Sequence, residues 1–327
     1  MSQIVLSLAP LSAELVELLI RQTPDVPDFK VIAGHDMDAG QVMEAMKDAD
    51  VVLGDYTFHQ AVTQDMVAGA KRLKVIQQPS VGYQHIDVDA CTRHGILVAN
   101  TAGANTVSVA EHTVAWGLCL AKNMFFAHNS TRQGRWEQMN VKPTEVMGKV
   151  WGMVGFGRIG RAVAERLRPF NLSRIIYYDV VRAGEDVERE FRVEFCELTE
   201  LLQLSDFISL HAPLTESTRM MIDADALETM KPSACLINVA RAELVDEQAL
   251  ADALRKGDIA GAAVDVFSTE PVEKDNPLLG VESDRLLFSP HVAGVTDEAA
   301  GRIINMATEN IARVLKGFAP DYVVNKD

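Results

Sequence analysis

The sequence has a shortage of positive charge and no long apolar run. Its 327 residues include 31 Lys and Arg against 46 Asp and Glu, which gives a formal net charge of −15. Binding to duplex nucleic acid or to an anionic membrane surface needs a basic face, so neither partner is expected. The most apolar long segment, residues 107–127, contains Glu111, His112 and Lys122. No stretch therefore reaches the ~18 uncharged residues of a membrane span.

Cysteine is also scarce. The four cysteines stand at positions 91, 119, 196 and 235, and they form neither a C-x-x-C motif nor a Cys/His cluster at zinc spacing. We expect four reduced thiols in a cytoplasmic protein and no metal site. The N-terminus lacks a basic stretch before an apolar one, so no signal peptide is predicted.

What the sequence does contain is an ordinary globular composition, with 48% hydrophobic and 24% charged residues. The length suggests two domains. β-rich runs alternate with helical patterns in two series, which predicts βαβ units and parallel sheets covered on both faces, an α/β fold. The strands of the first series are predicted at 4–8, 31–33, 51–53, 75–77 and 96–99, and those of the second at 150–154, 175–178, 207–210, 234–238, 262–266 and 286–289. Between the series, residues 105–126 are predicted to form one helix, apolar on nearly all sides, that connects the domains and packs against another subunit.

A glycine motif follows the first strand of the second series. It fits G-x-G-x-x-G, it precedes a helical pattern, and the next strand ends in an aspartate 19 positions beyond the last glycine. In that context the motif predicts a dinucleotide site, because the glycines permit a tight turn and close approach of the pyrophosphate. The residues are Gly155, Phe156, Gly157, Arg158, Ile159, Gly160 and Asp179. Asp179 favours NAD over NADP, although Arg182 leaves NADP as an alternative.

Three later strands lead into residues that suit catalysis. Arg241, Glu270 and His291 each follow the carboxyl end of a predicted strand. Because ligands of open α/β sheets bind at that edge, the three residues are candidates for one site.

At this point the sequence resembles a known family, the D-isomer-specific 2-hydroxyacid dehydrogenases. The resemblance covers nearly the whole chain and depends on ordered motifs at 80–83, 100–111, 155–160 with 179, 211–214, 238–241, 265–271 and 289–291. It implies a Rossmann NAD-binding domain over 101–290 and a discontinuous, flavodoxin-like substrate domain over 1–100 and 291–327. It also implies a homodimer, joined through helix 105–126 and an arm at 133–143 that contains Trp136.

The resemblance further implies a role for each site residue. Arg241 would bind the substrate carboxylate and polarise the carbonyl, His291 would be the general acid or base, and Glu270 would orient His291. The substrate would also be bound by Ser80, Val81 and Gly82. The cofactor would contact His211, Ala212, Pro213, Val239, Ala240, Asp265 and His291, with the nicotinamide carboxamide on Asp265.

The motifs depart from the family pattern at three positions. Ala242 follows the arginine where the family usually has Gly, and Ser80 and Gln84 replace a Gly and an Asp in the substrate loop. The predicted function is NAD-dependent, reversible hydride transfer to a small 2-oxo acid such as hydroxypyruvate, glyoxylate or pyruvate. Two alternatives stay open. One is a phosphoglycerate-type or other phosphate- or sulfonate-bearing 2-hydroxyacid dehydrogenase, for which no extra cationic pocket is evident. The other is an NAD-sensing, corepressor-like binding protein, against which the lack of long polar tails counts.

Overall fold

A computed structural model describes residues 2–326 as an alternation of strands and helices. The strands are β1 (Gln3–Ser7), β2 (Phe29–Ala33), β3 (Val51–Leu53), β4 (Val75–Gln77), β5 (Leu97–Ala99), β6 (Val150–Val154), β7 (Arg174–Tyr178), β8 (Glu194–Phe195), β9 (Phe207–Leu210), β10 (Cys235–Asn238), β11 (Gly261–Val264) and β12 (Leu286–Phe288). The helices are α1 (Ala13–Ile20), α2 (Ala39–Met46), α3 (Gln64–Gly69), α4 (Val88–Arg93), α5 (Thr106–Lys122), α6 (Met124–Arg132), α7 (Arg158–Leu167), α8 (Glu185–Phe191), α9 (Leu198–Leu204), α10 (Ala224–Thr229), α11 (Glu247–Lys256) and α12 (Asp297–Leu315).

The chain divides into two compact units. The first unit contains residues 1–105 and 297–327, and the second contains residues 106–296. The boundaries predicted from the sequence are 100/101 and 290/291. His291, which that prediction assigns to the substrate domain, lies in the second unit. None of the helices within residues 2–326 combines the length and the apolarity needed to cross a bilayer.

The first unit has a five-stranded parallel sheet in the order β2-β1-β3-β4-β5. This is the flavodoxin-like order 2-1-3-4-5. The strands are mostly buried, as expected where helices cover both faces of a parallel sheet. Helix α12 packs against α1 and lies over β3 and β4, so the end of the chain completes the core of this unit.

The second unit has a seven-stranded parallel sheet in the order β12-β11-β10-β9-β6-β7-β8. Counted from β6 this is the Rossmann order 3-2-1-4-5-6 with a seventh strand beyond it. The strand order reverses between β6 and β9, which is the point at which open sheets of this kind bind ligands. The predicted α/β class, with a Rossmann domain and a flavodoxin-like partner, is confirmed.

Two local predictions are wrong. The predicted helix 105–126 is two helices, because Asn123 adopts the left-handed conformation (φ 47°) between α5 and α6. Asparagine tolerates that conformation better than most residues, and it ends the regular helix there. The second sheet also has seven strands instead of six, since the two-residue strand β8 is too short to leave a pattern in the sequence.

The core of the second unit fixes the strands that lead to the site. Trp151 in β6 is fully buried, and its indole N–H donates to Ser209 Oγ in β9 at 3.0 Å. Helix α5 passes close to this ring at Gly117, where a Cβ would lie 2.3 Å from the indole. The two strands that lead into the glycine turn and into His211 are therefore held together by a buried side-chain hydrogen bond.

Candidate active site

The glycine turn after β6 is shaped by its glycines. Gly155 has φ +97°, and a Cβ there would lie 2.6 Å from the backbone N of Ala212. A Cβ on Gly160 would lie 2.4 Å from the carbonyl oxygen of Gly155, so the helix can pack closely on the turn. Gly157 faces open space, and no side chain caps helix α7. The N–H groups of the first turn therefore lack an acceptor among residues 2–326, and this free helix end fits a phosphate group.

Asp179 stands beside this turn at the end of β7. Its Oδ2 accepts a hydrogen bond from the Phe156 N–H at 2.7 Å, while Oδ1 has only a long contact of 3.4 Å with the Val181 N–H. One carboxylate oxygen thus holds the turn and the other is largely free for a hydroxyl donor. Arg182 forms a two-point ion pair with Glu188 at 2.9 Å and is therefore already engaged.

His211 follows β9 and lies against the glycine turn. Its Nε2 is 2.9 Å from Ser209 Oγ, and its Nδ1 is buried with no partner in residues 2–326. Burial lowers the pKa of His211 to about 3, so the imidazole is neutral near pH 7. The structure thus brings together the predicted cofactor residues at 155–160, 179 and 211–212.

Arg241 follows β10 in a segment that Asn238 holds. The Asn238 side chain donates to the Arg241 carbonyl oxygen at 2.9 Å and accepts from the Ala240 N–H at 3.1 Å. The guanidinium donates to the Ala240 carbonyl oxygen at 2.7 Å and forms no ion pair with any carboxylate of residues 2–326. A half-buried guanidinium without a carboxylate partner can bind the carboxylate of a ligand.

Glu270 and His291 form a hydrogen-bonded pair. Glu270 Oε2 lies 2.7 Å from His291 Nδ1, and Glu270 Oε1 accepts from the Phe267 N–H at 3.0 Å. Because a carboxylate can only accept, the Nδ1 atom carries the proton in this pair. The Nε2 atom, with no partner among residues 2–326, is left to exchange a proton. The side chains of His291 and Glu270 are 45% and 38% exposed, so both can reach a ligand.

Asp265 holds the turn that carries His291. This fully buried carboxylate accepts from the Ser289 hydroxyl and from the N–H groups of Val292 and Ala293, both at 2.9 Å. The Asp265 carbonyl oxygen also accepts from the His291 N–H at 2.7 Å. His291 itself has φ +53°. The buried carboxylate therefore joins the end of β11 to the turn after β12 and sets the backbone from which the imidazole projects.

His112 extends this network and is a residue that the sequence analysis did not select. Its Nε2 lies 3.2 Å from Ser289 Oγ, and its ring packs edge-on against Trp116 with centroids 5.1 Å apart. Burial lowers the pKa of His112, while the charge of Asp265 opposes that shift. Residues 112 and 289 are distant in sequence and meet only in the fold. The one feature of the sequence that points to His112 is therefore its position as a polar residue within an apolar helix.

In the first unit, a polar network shapes the loop at 80–82. The Ser80 hydroxyl donates to the Gly82 carbonyl oxygen at 2.7 Å and accepts from Gln78 Nε2 at 2.8 Å. The Asn100 side chain donates to the Val81 carbonyl oxygen at 3.0 Å. Within residues 2–326 the N–H groups of Val81 and Gly82 have no acceptor, so the loop presents two free donors. Among residues 2–326, no cluster of three or more His, Cys, Asp or Glu side chains could hold a metal ion.

Comparison with known proteins defines the family. Residues 114–293 match the family model for the D-isomer specific 2-hydroxyacid dehydrogenase, NAD binding domain. A glyoxylate reductase of Korarchaeum cryptofilum is 39% identical over 290 residues, which is 88% of this chain and 86% of that one. A D-3-phosphoglycerate dehydrogenase of Methanocaldococcus jannaschii is 38% identical over 97% of this chain and 58% of its own length. The structure of an Aquifex aeolicus D-lactate dehydrogenase complexed with NAD and lactic acid is 27% identical, with a TM-score of 0.83 over 99% of this chain and all of that one.

The chain therefore belongs to the D-isomer-specific 2-hydroxyacid dehydrogenase family. It is an NAD-dependent oxidoreductase that acts on the CH–OH group of a 2-hydroxyacid. The family, the enzyme class and the cofactor predicted from the sequence are confirmed.

Proposed function

We propose that the protein reduces a small 2-oxo acid of the glyoxylate or hydroxypyruvate type with NADH, and oxidises the D-2-hydroxyacid in reverse. The observation that carries this proposal is the Glu270–His291 pair, which leaves one imidazole nitrogen free to exchange a proton. The similarity to glyoxylate reductases over most of the chain supports a small substrate.

In this proposal the second unit holds the cofactor. The pyrophosphate would lie on the free end of α7 at Gly157, Arg158 and Ile159, and the adenosine ribose on Asp179. The segments that follow β9 and β10 would complete the cofactor site through His211, Ala212, Pro213, Val239 and Ala240. Asp265, predicted to bind the carboxamide, would instead support this site from within, because its side chain is fully buried and already accepts three hydrogen bonds. When bound, NADH supplies the hydride that reduces the substrate.

The residues of the chain would then bind the acid and move the proton. Arg241 would bind the carboxylate through its unpaired guanidinium. In the first unit, the Ser80 hydroxyl and the free N–H groups of Val81 and Gly82 are proposed as substrate-binding groups. His291 would give the Nε2 proton to the carbonyl oxygen as the hydride reaches the carbon, and would take it back during oxidation. The charge of Glu270 would stabilise the imidazolium that gives up this proton.

A phosphorylated substrate is the second candidate, because a phosphoglycerate dehydrogenase is nearly as similar in sequence. A panel of glyoxylate, hydroxypyruvate, pyruvate and 3-phosphohydroxypyruvate, each assayed with NADH and NADPH, separates the candidates. We expect a higher kcat/KM for the small acids and for NADH. A preference for the phosphorylated acid would replace the first candidate by the second. Binding of NADH without turnover of any acid would instead favour an NAD-sensing, corepressor-like protein.

We also propose a cytoplasmic homodimer, in which the first unit binds substrate. The arm at 133–143 exposes Trp136 and Met139 to 82% and 85%, and Met124 and Phe125 are exposed on α6. Large apolar side chains exposed together mark an interaction surface. All four cysteines are free thiols, which is typical of the reducing cytoplasm. Light scattering on the purified protein, compared with Trp136→Ala, tests the dimer, and a monomeric wild type would overturn it.

A further inference from the structure

A cavity of about 150 Å³ lies at the amino-terminal edge of the sheet in the second unit. Lys149, Asp206, Cys235 and Arg285 line it, and each is the first residue of a strand or the residue immediately before one. The proposed cofactor and substrate residues of this unit follow the carboxyl ends of strands, at the opposite edge. A cavity of this size has room for several water molecules or for one small polyatomic ion.

Arg285 brings an uncompensated charge to this cavity. Its Nη2 donates to the Leu120 carbonyl oxygen at 3.3 Å and lies 4.0 Å from Cys235 Sγ. Its Nε is buried and has no hydrogen-bond partner in the part of the chain that the structure describes. None of the ion pairs there includes Arg285. Arg285 is half-buried, and leaving its charge unpaired there is unfavourable, so an anion bound beside the guanidinium would be stabilised.

The rest of the lining does not supply that partner. Asp206 is already engaged, since Oδ1 lies 3.2 Å from Lys231 Nζ and Oδ2 accepts from the Val150 N–H at 2.9 Å. Lys149, a half-buried residue of the same lining, forms no ion pair within residues 2–326. Lys231 balances Asp206, so the cavity retains the charges of Arg285 and Lys149.

We propose that this cavity binds a small oxyanion of the phosphate or sulfate type. The guanidinium offers the directional N–H donors that such an anion prefers, and the Lys149 ammonium adds a second charge. Thr144 and Ser233 belong to the same lining. The limited volume excludes a nucleotide. This inference does not depend on the proposed substrate or on the catalytic residues.

The test uses inorganic phosphate against sodium chloride at equal ionic strength, on the full chain with saturating NADH to occupy the pyrophosphate site. The midpoint temperature of thermal unfolding (Tm) of the wild type should rise by about 3 °C when the phosphate concentration is about tenfold above its dissociation constant. Arg285→Met, which keeps the length of the side chain without its charge, should lose this rise. Calorimetric titration should show one phosphate per chain for the wild type and none for Arg285→Met.

Two controls separate this site from others. Arg255→Met removes an exposed arginine of the same unit, and Arg241→Gln removes the guanidinium at the opposite edge; both should keep the rise. If Arg285→Met does not fold, Lys149→Met should reduce the rise and Arg285→Lys should retain part of it. The proposal is overturned if phosphate raises the unfolding temperature of the wild type no more than chloride does. It is also overturned if Arg285→Met or Lys149→Met shows the same rise as the wild type. Replacing phosphate with sulfate tests whether the site requires only an oxyanion.

Discussion

Glu270 Oε2 lies 2.7 Å from Nδ1 of His291, so a carboxylate fixes which imidazole nitrogen carries the proton. Glu270 is itself held by the Phe267 N–H, which limits its freedom to turn away. The two hydrogen bonds of Glu270 therefore hold the orientation of the imidazole ring, so that the Nε2 atom of His291 points in one fixed direction.

Replacing Glu270 by Gln should lower kcat for reduction by roughly tenfold or more, because the negative charge that supports the imidazolium is lost. The measurement is kcat for reduction in wild type and variant. Glu282→Gln, which removes an exposed acid of the same unit, is the control and should keep kcat. An unchanged kcat in E270Q would contradict the role of Glu270.

Replacing His291 by Ala should lower kcat by about 10²–10⁴-fold while NADH still binds, because general acid catalysis contributes on that scale. Steady-state kinetics gives kcat, and quenching of protein fluorescence gives the affinity for NADH. His128→Ala, on the exposed face of α6, is the matched control and should retain activity. Full activity in H291A would remove His291 from the mechanism.

Replacing Asp179 by Ala should weaken the preference for NADH over NADPH, since in the proposed site the carboxylate would accept from ribose hydroxyls and repel a 2′-phosphate. The readout is the ratio of kcat/KM for the two cofactors. The Asp179 side chain also holds the Phe156 N–H, so Asp179→Asn serves to retain an acceptor without the charge. If D179A and D179N both lower the ratio of kcat/KM for NADH to that for NADPH, the negative charge accounts for the preference. An unaltered ratio in both variants would reject the proposed ribose contact.

Replacing Asp265 by Asn should lower the free energy of unfolding by about 2 kcal/mol, because charge-assisted hydrogen bonds to the turn are lost or weakened. Urea denaturation measures this change. Asp252→Asn, on α11, should change it little, because that side chain is 48% exposed and its ion pair with Arg255 lies at the surface. Since the turn carries His291, we also expect a lower kcat in D265N. Wild-type stability in that variant would show that the buried carboxylate does not hold the turn.

Replacing His211 by Asn should make stability less sensitive to acid. The folded pKa is about 3 and the unfolded value is about 6.5, so between these values the unfolded chain binds the extra proton. Wild-type stability therefore falls as pH drops through this window, with a contribution from His211 of up to about 1.4 kcal/mol per pH unit. Urea denaturation at pH 7, 5.5 and 4.5 tests this, with His128→Asn as control. An unchanged slope in H211N would refute a buried, neutral imidazole.

The sequence predicts well the features that local chemistry dictates. The alternation of apolar runs defines most strands, and the glycines with Asp179 identify the turn because that turn tolerates no side chains at Gly155 and Gly160. It fails where the result depends on tertiary contacts. The helix breaks at Asn123 because this residue adopts the left-handed conformation, and the apolar pattern that continues on both sides gives no sign of it. The contact of His112 with Ser289 joins α5 to the end of β12, and no spacing along the chain encodes it.

The backbone of His291 has a further consequence for the history of this position. A left-handed conformation costs a residue with a Cβ of the order of 1 kcal/mol, whereas glycine adopts it freely. Folding alone would therefore favour glycine at 291. A histidine at this position therefore lowers the stability of the fold in exchange for a catalytic side chain. Selection for thermostability alone, without selection for activity, would be expected to replace it.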